Sequence, residues 1–152
     1  IGNVIEYKSN TYKNNTTGYL NQSGIELSYG YQDTKNKITV WGNSLSSEKT
    51  DGSAQLRRPE HSMGINYQRT VTNTWSYYAN YSFMGEHFDV HNSNWSTITM
   101  PETHLLDMGI TKNYYGFDLG LSINNVFDQD YERPHGFGQN KRKINFILKR
   151  KF

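Results

Sequence analysis

Alternation of period two runs through nearly the whole chain, and helical periodicity is hard to find. Successive side chains of a strand point to opposite faces, so residues i, i+2 and i+4 share a side. Trp75, Tyr77, Ala79, Tyr81 and Phe83 fall on one such side, with Ser76, Asn80 and Ser82 on the other. Ile25, Leu27, Tyr29 and Tyr31 oppose Glu26, Ser28, Gly30 and Gln32. Phe117, Leu119, Leu121 and Ile123 oppose Asp118, Gly120, Ser122 and Asn124. The pattern predicts an all-β fold of about eight strands, near 1–9, 19–32, 37–47, 61–70, 75–83, 103–112, 117–124 and 144–152.

The expected connections alternate in length. Those at 10–18, 48–60, 89–101 and 128–139 are long, and those at 33–36, 71–74 and 113–116 are short. Sorting of this kind marks an antiparallel transmembrane β-barrel, with short periplasmic turns and long extracellular loops. A soluble sandwich has no reason to sort its loops. The strand lengths also suit a tilted membrane strand of about 9–11 residues. In this orientation the loops around Asn14, Asp51, Asn94 and Gly136 face outward, and the turns at Thr34, Thr72 and Tyr115 face the periplasm. No internal repeat or linker divides the 152 residues, so they are read as a single barrel unit, 1–152.

Composition agrees. Mean hydropathy is −0.84, yet the chain holds 12 Tyr, 7 Phe and 3 Trp, too many aromatics for a disordered polar chain. Aromatics in a polar background fit a wall with one apolar and one wet face. A net charge of +2 is too small to argue for nucleic acid. No run is long and apolar enough for a membrane helix, so any crossing must use strands. The absence of cysteine excludes a disulfide framework and a Cys-based metal site. A soluble β-rich binding module is the alternative, and it predicts solubility without detergent.

The final segment carries the first resemblance. Ile144, Phe146 and Leu148 alternate and the chain stops at Phe152. This is similar to the C-terminal pattern by which the barrel assembly machinery recognises bacterial outer-membrane proteins, which would make Phe146, Leu148 and Phe152 an assembly signal. Arg150 stands where an apolar residue is usual, and near the membrane edge it can snorkel.

The segment Leu121 to Tyr131, with Asn124-Asn125-Val126-Phe127-Asp128-Gln129-Asp130-Tyr131 at its centre, resembles the "NLFDxxY" element of TonB-dependent outer-membrane receptors. Gly136 to Arg142 resembles their "GxxxPGR" stretch, without the Pro-Gly. Ile5-Glu6-Tyr7 with Gly24-Ile25-Glu26-Leu27 resembles "GVEL", and Leu56 to Ser62 resembles "RRPxHS". Gly85 to Asp89 resembles "GxRxD", with His87 for the usual Arg or Tyr. The resemblance covers essentially the whole chain, in the family's order. It implies a 22-stranded barrel enclosing an N-terminal plug that contacts TonB, with this chain as about the last eight strands and the plug absent. A complete eight-stranded barrel with a structural or adhesive role is the competing reading, since eight strands can close. Against it, the inward faces are rich in Ser, Asn, Gly and Gln, which suit a wide wet lumen.

Candidate ligand contacts lie in the predicted extracellular loops. His87, Asp89 and His91 alternate along one extended segment and carry donors able to meet a metal complex. Arg58 and His61, beside Arg57 and Glu60, can grip a carboxylate or phosphate. Trp95, His135 and Phe137 can touch a large flat ligand. Each group also has a plainer structural reading, as polar rim, strand-entry motif around Pro59, or loop packing. Lys141-Arg142-Lys143 and Lys149-Arg150-Lys151 flank the last strand about one membrane thickness apart, suiting lipid and lipopolysaccharide head groups. Asn-x-Ser/Thr at Asn14, Asn15, Asn21, Asn80 and Asn94 reflects an Asn-rich composition. No nucleophile–base set, phosphate loop or zinc pattern points to catalysis, a resident metal or a cofactor. By resemblance the parent would be a receptor importing a scarce metal chelate, such as cobalamin, a ferric siderophore or haem.

Overall fold

The computed structural model describes residues 2–8, 11–49, 52 and 55–150, with side chains described from Asn21 onward. Ten strands form: β1 (Gly2–Lys8), β2 (Thr11–Gln32), β3 (Asn36–Lys49), β4 (His61–Thr72), β5 (Trp75–Met84), β6 (His87–Val90), β7 (Thr97–Met100), β8 (Thr103–Tyr114), β9 (Phe117–Asn124) and β10 (Lys143–Arg150). Eight of them make one antiparallel meander in the order β1-β2-β3-β4-β5-β8-β9-β10, while β6 and β7 pair separately. Among the described residues β1 and β10 are the two edges of this sheet and do not pair with each other. The arrangement therefore does not favour a complete eight-stranded barrel, which would need that pairing.

The register aligns one apolar face across the sheet. Tyr31, Ile38, Tyr67, Ala79, Met108, Ile123 and Ile144 lie opposite one another in a row that crosses seven strands. The next row on the opposite face reads Gln32, Lys37, Gln68, Tyr78, Gly109, Ser122 and Asn145. A slip of one residue would exchange these faces, so the alternation itself specifies the register. Ile25, Leu27, Leu121, Phe146 and Leu148 stand exposed, with no protein layer over them. In water such a surface would be an aggregation hazard, whereas lipid is a matching solvent. No helix is long and apolar enough to cross a membrane among the described residues.

Two aromatic–glycine pairs order the polar face. A Cβ on Gly64 would lie 2.5–2.6 Å from the Trp41 indole, and one on Gly109 would run into the Tyr78 ring. Each glycine thus lets a neighbouring strand's ring lie flat against the backbone.

The short turns form as their residues dictate. At Tyr115 and Gly116 φ is 48° and 79°, which makes the two-residue connection that matches strand twist in a hairpin. At the β2–β3 turn Asp33 Oδ1 accepts from the backbone N–H of Lys35 (2.7 Å) and Asn36 (2.6 Å), an Asx turn. The Asn36 side-chain amide and these two backbone N–H groups hold the Asp33 carboxyl well below the usual carboxylate range.

The structure corrects two loop boundaries. The stretch 10–18, expected as a loop, is strand from Thr11 onward, and Asn14 pairs with Ile5. Residues there do not alternate in polarity, yet a ladder held by backbone hydrogen bonds needs no apolar face once it leaves the membrane. At 22 residues β2 is about twice a membrane crossing. The expected loop 89–101 contains part of the β6–β7 hairpin, which pairs His87 with Met100 and Asp89 with Ile98. Phe152 lies outside the described residues.

Candidate functional site

Three long connections meet at one end of the sheet: the β3–β4 segment, the β5–β8 segment carrying β6 and β7, and the β9–β10 segment. Alternation along β6 turns His87 and Asp89 inward and leaves Phe88 exposed. Asp89 is 1% exposed. Its Oδ1 accepts from Arg57 Nε and from its neighbour's backbone, Val90 N–H, both at 2.7 Å. Its Oδ2 accepts from the His135 backbone N–H at 2.8 Å. One carboxylate therefore ties together all three connections. Burial alone would raise its pKa, but the His135 amide, the Arg57 guanidinium and the Val90 amide outweigh that and lower it to about 2.

Further contacts reinforce the clasp. Arg57 N–H donates to Phe88 O at 2.6 Å, and Arg57 itself sits in the left-handed region at φ 60°. The His91 and His135 rings lie 4.8 Å apart, tilted by 41°. His135 Nδ1 is 2.9 Å from Glu132 Oε2, which also accepts from Gly136 N–H. Gly136 has φ 84°, and a Cβ there would strike the Asn92 side chain.

The predicted contact residues divide into three groups. Arg58, His61 and His87 line one cavity of about 420 Å³, together with Leu45, Glu86 and Phe88. Asp89, His91 and His135 form or adjoin the clasp. Trp95 and Phe137 occupy the tips of two connections and are 80% and 64% exposed. The alternation of His87, Asp89 and His91 is present, but His87 and Asp89 are buried and Asp89 is fully engaged by internal donors. No group of three or more His, Asp or Glu placed to hold a metal ion occurs among the described residues.

The "NLFDxxY"-like stretch proves to be a second knot. Asn125 is buried at φ 51°, a conformation that Asn tolerates. Its backbone N–H donates to Asp107 Oδ1 (2.8 Å) and its Nδ2 to the Gln129 and Asn140 carbonyls (2.8 and 3.3 Å). Gln129 in turn accepts from His104 N–H (2.6 Å) and donates to Glu102 O (3.1 Å). Asp128 accepts from Arg142 N–H, and Arg142 Nε donates to Val126 O. In the sequence these residues stand out only by resemblance; apart from the Asn125–Gln129 bonds, their partners lie 14–27 residues away.

No protein-family model matches the chain, and no curated protein matches it. Solved structures do. The ferripyoverdine receptor of the outer membrane of Pseudomonas aeruginosa, bound to ferripyoverdine, superposes with TM-score 0.73 at 15% identity, over 89% of this chain and 20% of its own. The ferric-catecholate import receptor Fiu of E. coli K12 gives 0.71 at 19%, over 95% and 22%. The FrpB iron transporter of Neisseria meningitidis gives 0.70 at 14%, over 98% and 26%. The chain thus spans about a fifth to a quarter of the length of these structures. At such identities the likeness is one of fold: the antiparallel meander has the fold of a stretch of barrel wall from the TonB-dependent outer-membrane receptors.

Proposed function

We propose that the chain is the C-terminal barrel stretch of an outer-membrane receptor that binds and imports a ferric chelate of the siderophore type. The observation that carries this reading is the likeness of nearly the whole chain to three outer-membrane iron receptors or transporters. The mouth supplies suitable chemistry. Arg58 and His61 offer donors beside one cavity, and exposed Trp95 and Phe137 offer flat apolar surface, a combination that suits an anionic, partly aromatic chelate. The His91 and His135 rings lie against each other, while His87 and Asp89 are buried and support the rim. On this reading the sheet is a segment of wall, and transport requires a plug and TonB supplied by the rest of the receptor. The barrel assembly machinery acts on the Phe146, Leu148 and Phe152 pattern, and lipopolysaccharide meets the basic residues at the outer end of β10, Lys141, Arg142 and Lys143.

The test is titration of the full receptor, purified in detergent, with iron(III) complexes of a catecholate and of a hydroxamate chelator, and with haem and cobalamin. Submicromolar binding of a ferric chelate supports the proposal. Binding of haem or cobalamin alone would replace the ligand class, and binding of none would overturn the receptor reading.

A further inference from the structure

We infer that Asp89 is a positioning residue that sets the relative placement of the three mouth connections, so that ligand affinity depends on a side chain no ligand touches. The inference rests on the proposed receptor reading for its ligand, and on geometry alone for the clasp.

The geometry is specific. The three donors on Asp89 come from Arg57 in the β3–β4 connection, from Val90 beside it, and from His135 in the β9–β10 connection. Arg57 and His135 are 78 residues apart in sequence, and each is bonded to this one carboxylate. Loops of this length have many conformations of similar energy, and closing them onto one another is opposed by chain entropy. A buried anion with a charged donor and two amides is strong enough to offset part of that cost. Arg57 is held at φ 60°, a conformation a non-glycine residue keeps only where its surroundings over-determine it. The Arg57 N–H bond to Phe88 O and the Asp89 bond to Arg57 Nε are those surroundings.

The consequence is spatial. Arg58 follows Arg57, Phe137 follows His135 by two residues, and Trp95 caps the hairpin that bears Asp89. The candidate contacts of all three connections are thus indexed to one point. Asn at 89 would keep the shape and lose the arrangement, because a carboxamide has a single acceptor oxygen and its NH2 would face either the Arg57 guanidinium or the His135 amide. The clasp contributes no rung to the eight-stranded sheet, so its release lowers affinity in a barrel that still folds.

Paired spin labels on the full receptor decide the matter. Glu60→Cys and Gly138→Cys place labels on two of the clasped connections in a stretch that has no cysteine of its own, with any cysteine elsewhere in the receptor replaced by Ser, and a Cβ on Gly138 meets no atom within 4 Å. A narrow distance distribution is expected, broadened alike by Asp89→Asn and Arg57→Gln. Both variants should bind the ferric chelate at least tenfold more weakly, while the barrel still folds and keeps the gel shift of its folded form. Unchanged distance distributions in the variants overturn the clasp, whether or not any chelate binds. Broadened distributions with unaltered affinity overturn the positioning role, and absence of chelate binding by the unmodified receptor counts against the receptor reading alone.

Discussion

Asn125 and Gln129 hold each other by two hydrogen bonds: Gln129 N–H donates to Asn125 Oδ1 at 3.0 Å, and Asn125 Nδ2 donates to Gln129 O at 2.8 Å. The pair turns the chain out of β9 and fastens it to the start of β8 through His104 and Glu102. Asn125→Ala removes these bonds from a buried position and leaves in the left-handed region a residue without the polar side chain that lets Asn tolerate it. The expected loss is about 2–4 kcal/mol. Asn125→Gly should recover about 1 kcal/mol of it, since only the conformational part is relieved. Thermal unfolding followed by the gel shift of the folded barrel separates the two, and equal losses would reject the conformational share.

The Asp89 carboxyl has its pKa lowered from 3.8 to about 2 in the folded protein. A depressed pKa contributes stability above the unfolded value and loses it as pH falls through the folded one. The difference in unfolding temperature between the wild type and Asp89→Asn should therefore be constant from pH 7 to about 5 and shrink between about 4 and 2. A gap that widens with acid would show that the carboxylate is not stabilised by its donors.

Gly64 and Trp41 should be coupled. Gly64→Ala pushes a β-carbon into the indole, at an expected cost of about 1–3 kcal/mol. In a Trp41→Ala background the same change should cost little. A double-mutant cycle in unfolding free energy checks this, and additive losses would mean that the ring already yields.

The two faces of the sheet should differ sharply toward charge. Phe146 lies midway along β10 on the apolar face, so Phe146→Arg should cost about 2–4 kcal/mol in a bilayer. Thr111→Lys, in a row with Ser76, Gly120 and Ile147 on the opposite face, should change stability far less. Refolding into lipid vesicles measures both, and a reversed order would invert the wall.

Trp95→Ala and Phe137→Ala should each weaken ferric chelate binding by about tenfold, near 1.4 kcal/mol, without altering unfolding. Both side chains are exposed at loop tips, so a large fall in stability would assign them to packing instead.

Much of the wall was legible in local order. Strand existence, face assignment and the short turns follow from alternation and from turn residues such as Asp33 and Gly116, because each depends on neighbours one to three positions away. The stretch 11–18 was not legible, since its strand is imposed by pairing with β1 rather than by polarity. The β6–β7 hairpin, which overlaps the expected loop 89–101, is not legible as a pair because each strand has only four residues: the alternation of His87, Asp89 and His91 shows an extended segment but not its partner.

The candidate site divides in the same way. Composition and position near the long connections are enough to nominate Arg58, His61, Trp95, His135 and Phe137 as candidate contacts. Nothing local distinguished Asp89 from His87 and His91 beside it, or Arg57 from Arg58. Only the tertiary structure decided that Asp89 is enclosed and shared among three connections, and that Asn125 and Gln129 form a knot. The reason is physical. Alternation along a strand is a property of the backbone's own geometry, whereas burial of a charge is set by donors that arrive from elsewhere in the chain, here 32 and 46 residues away.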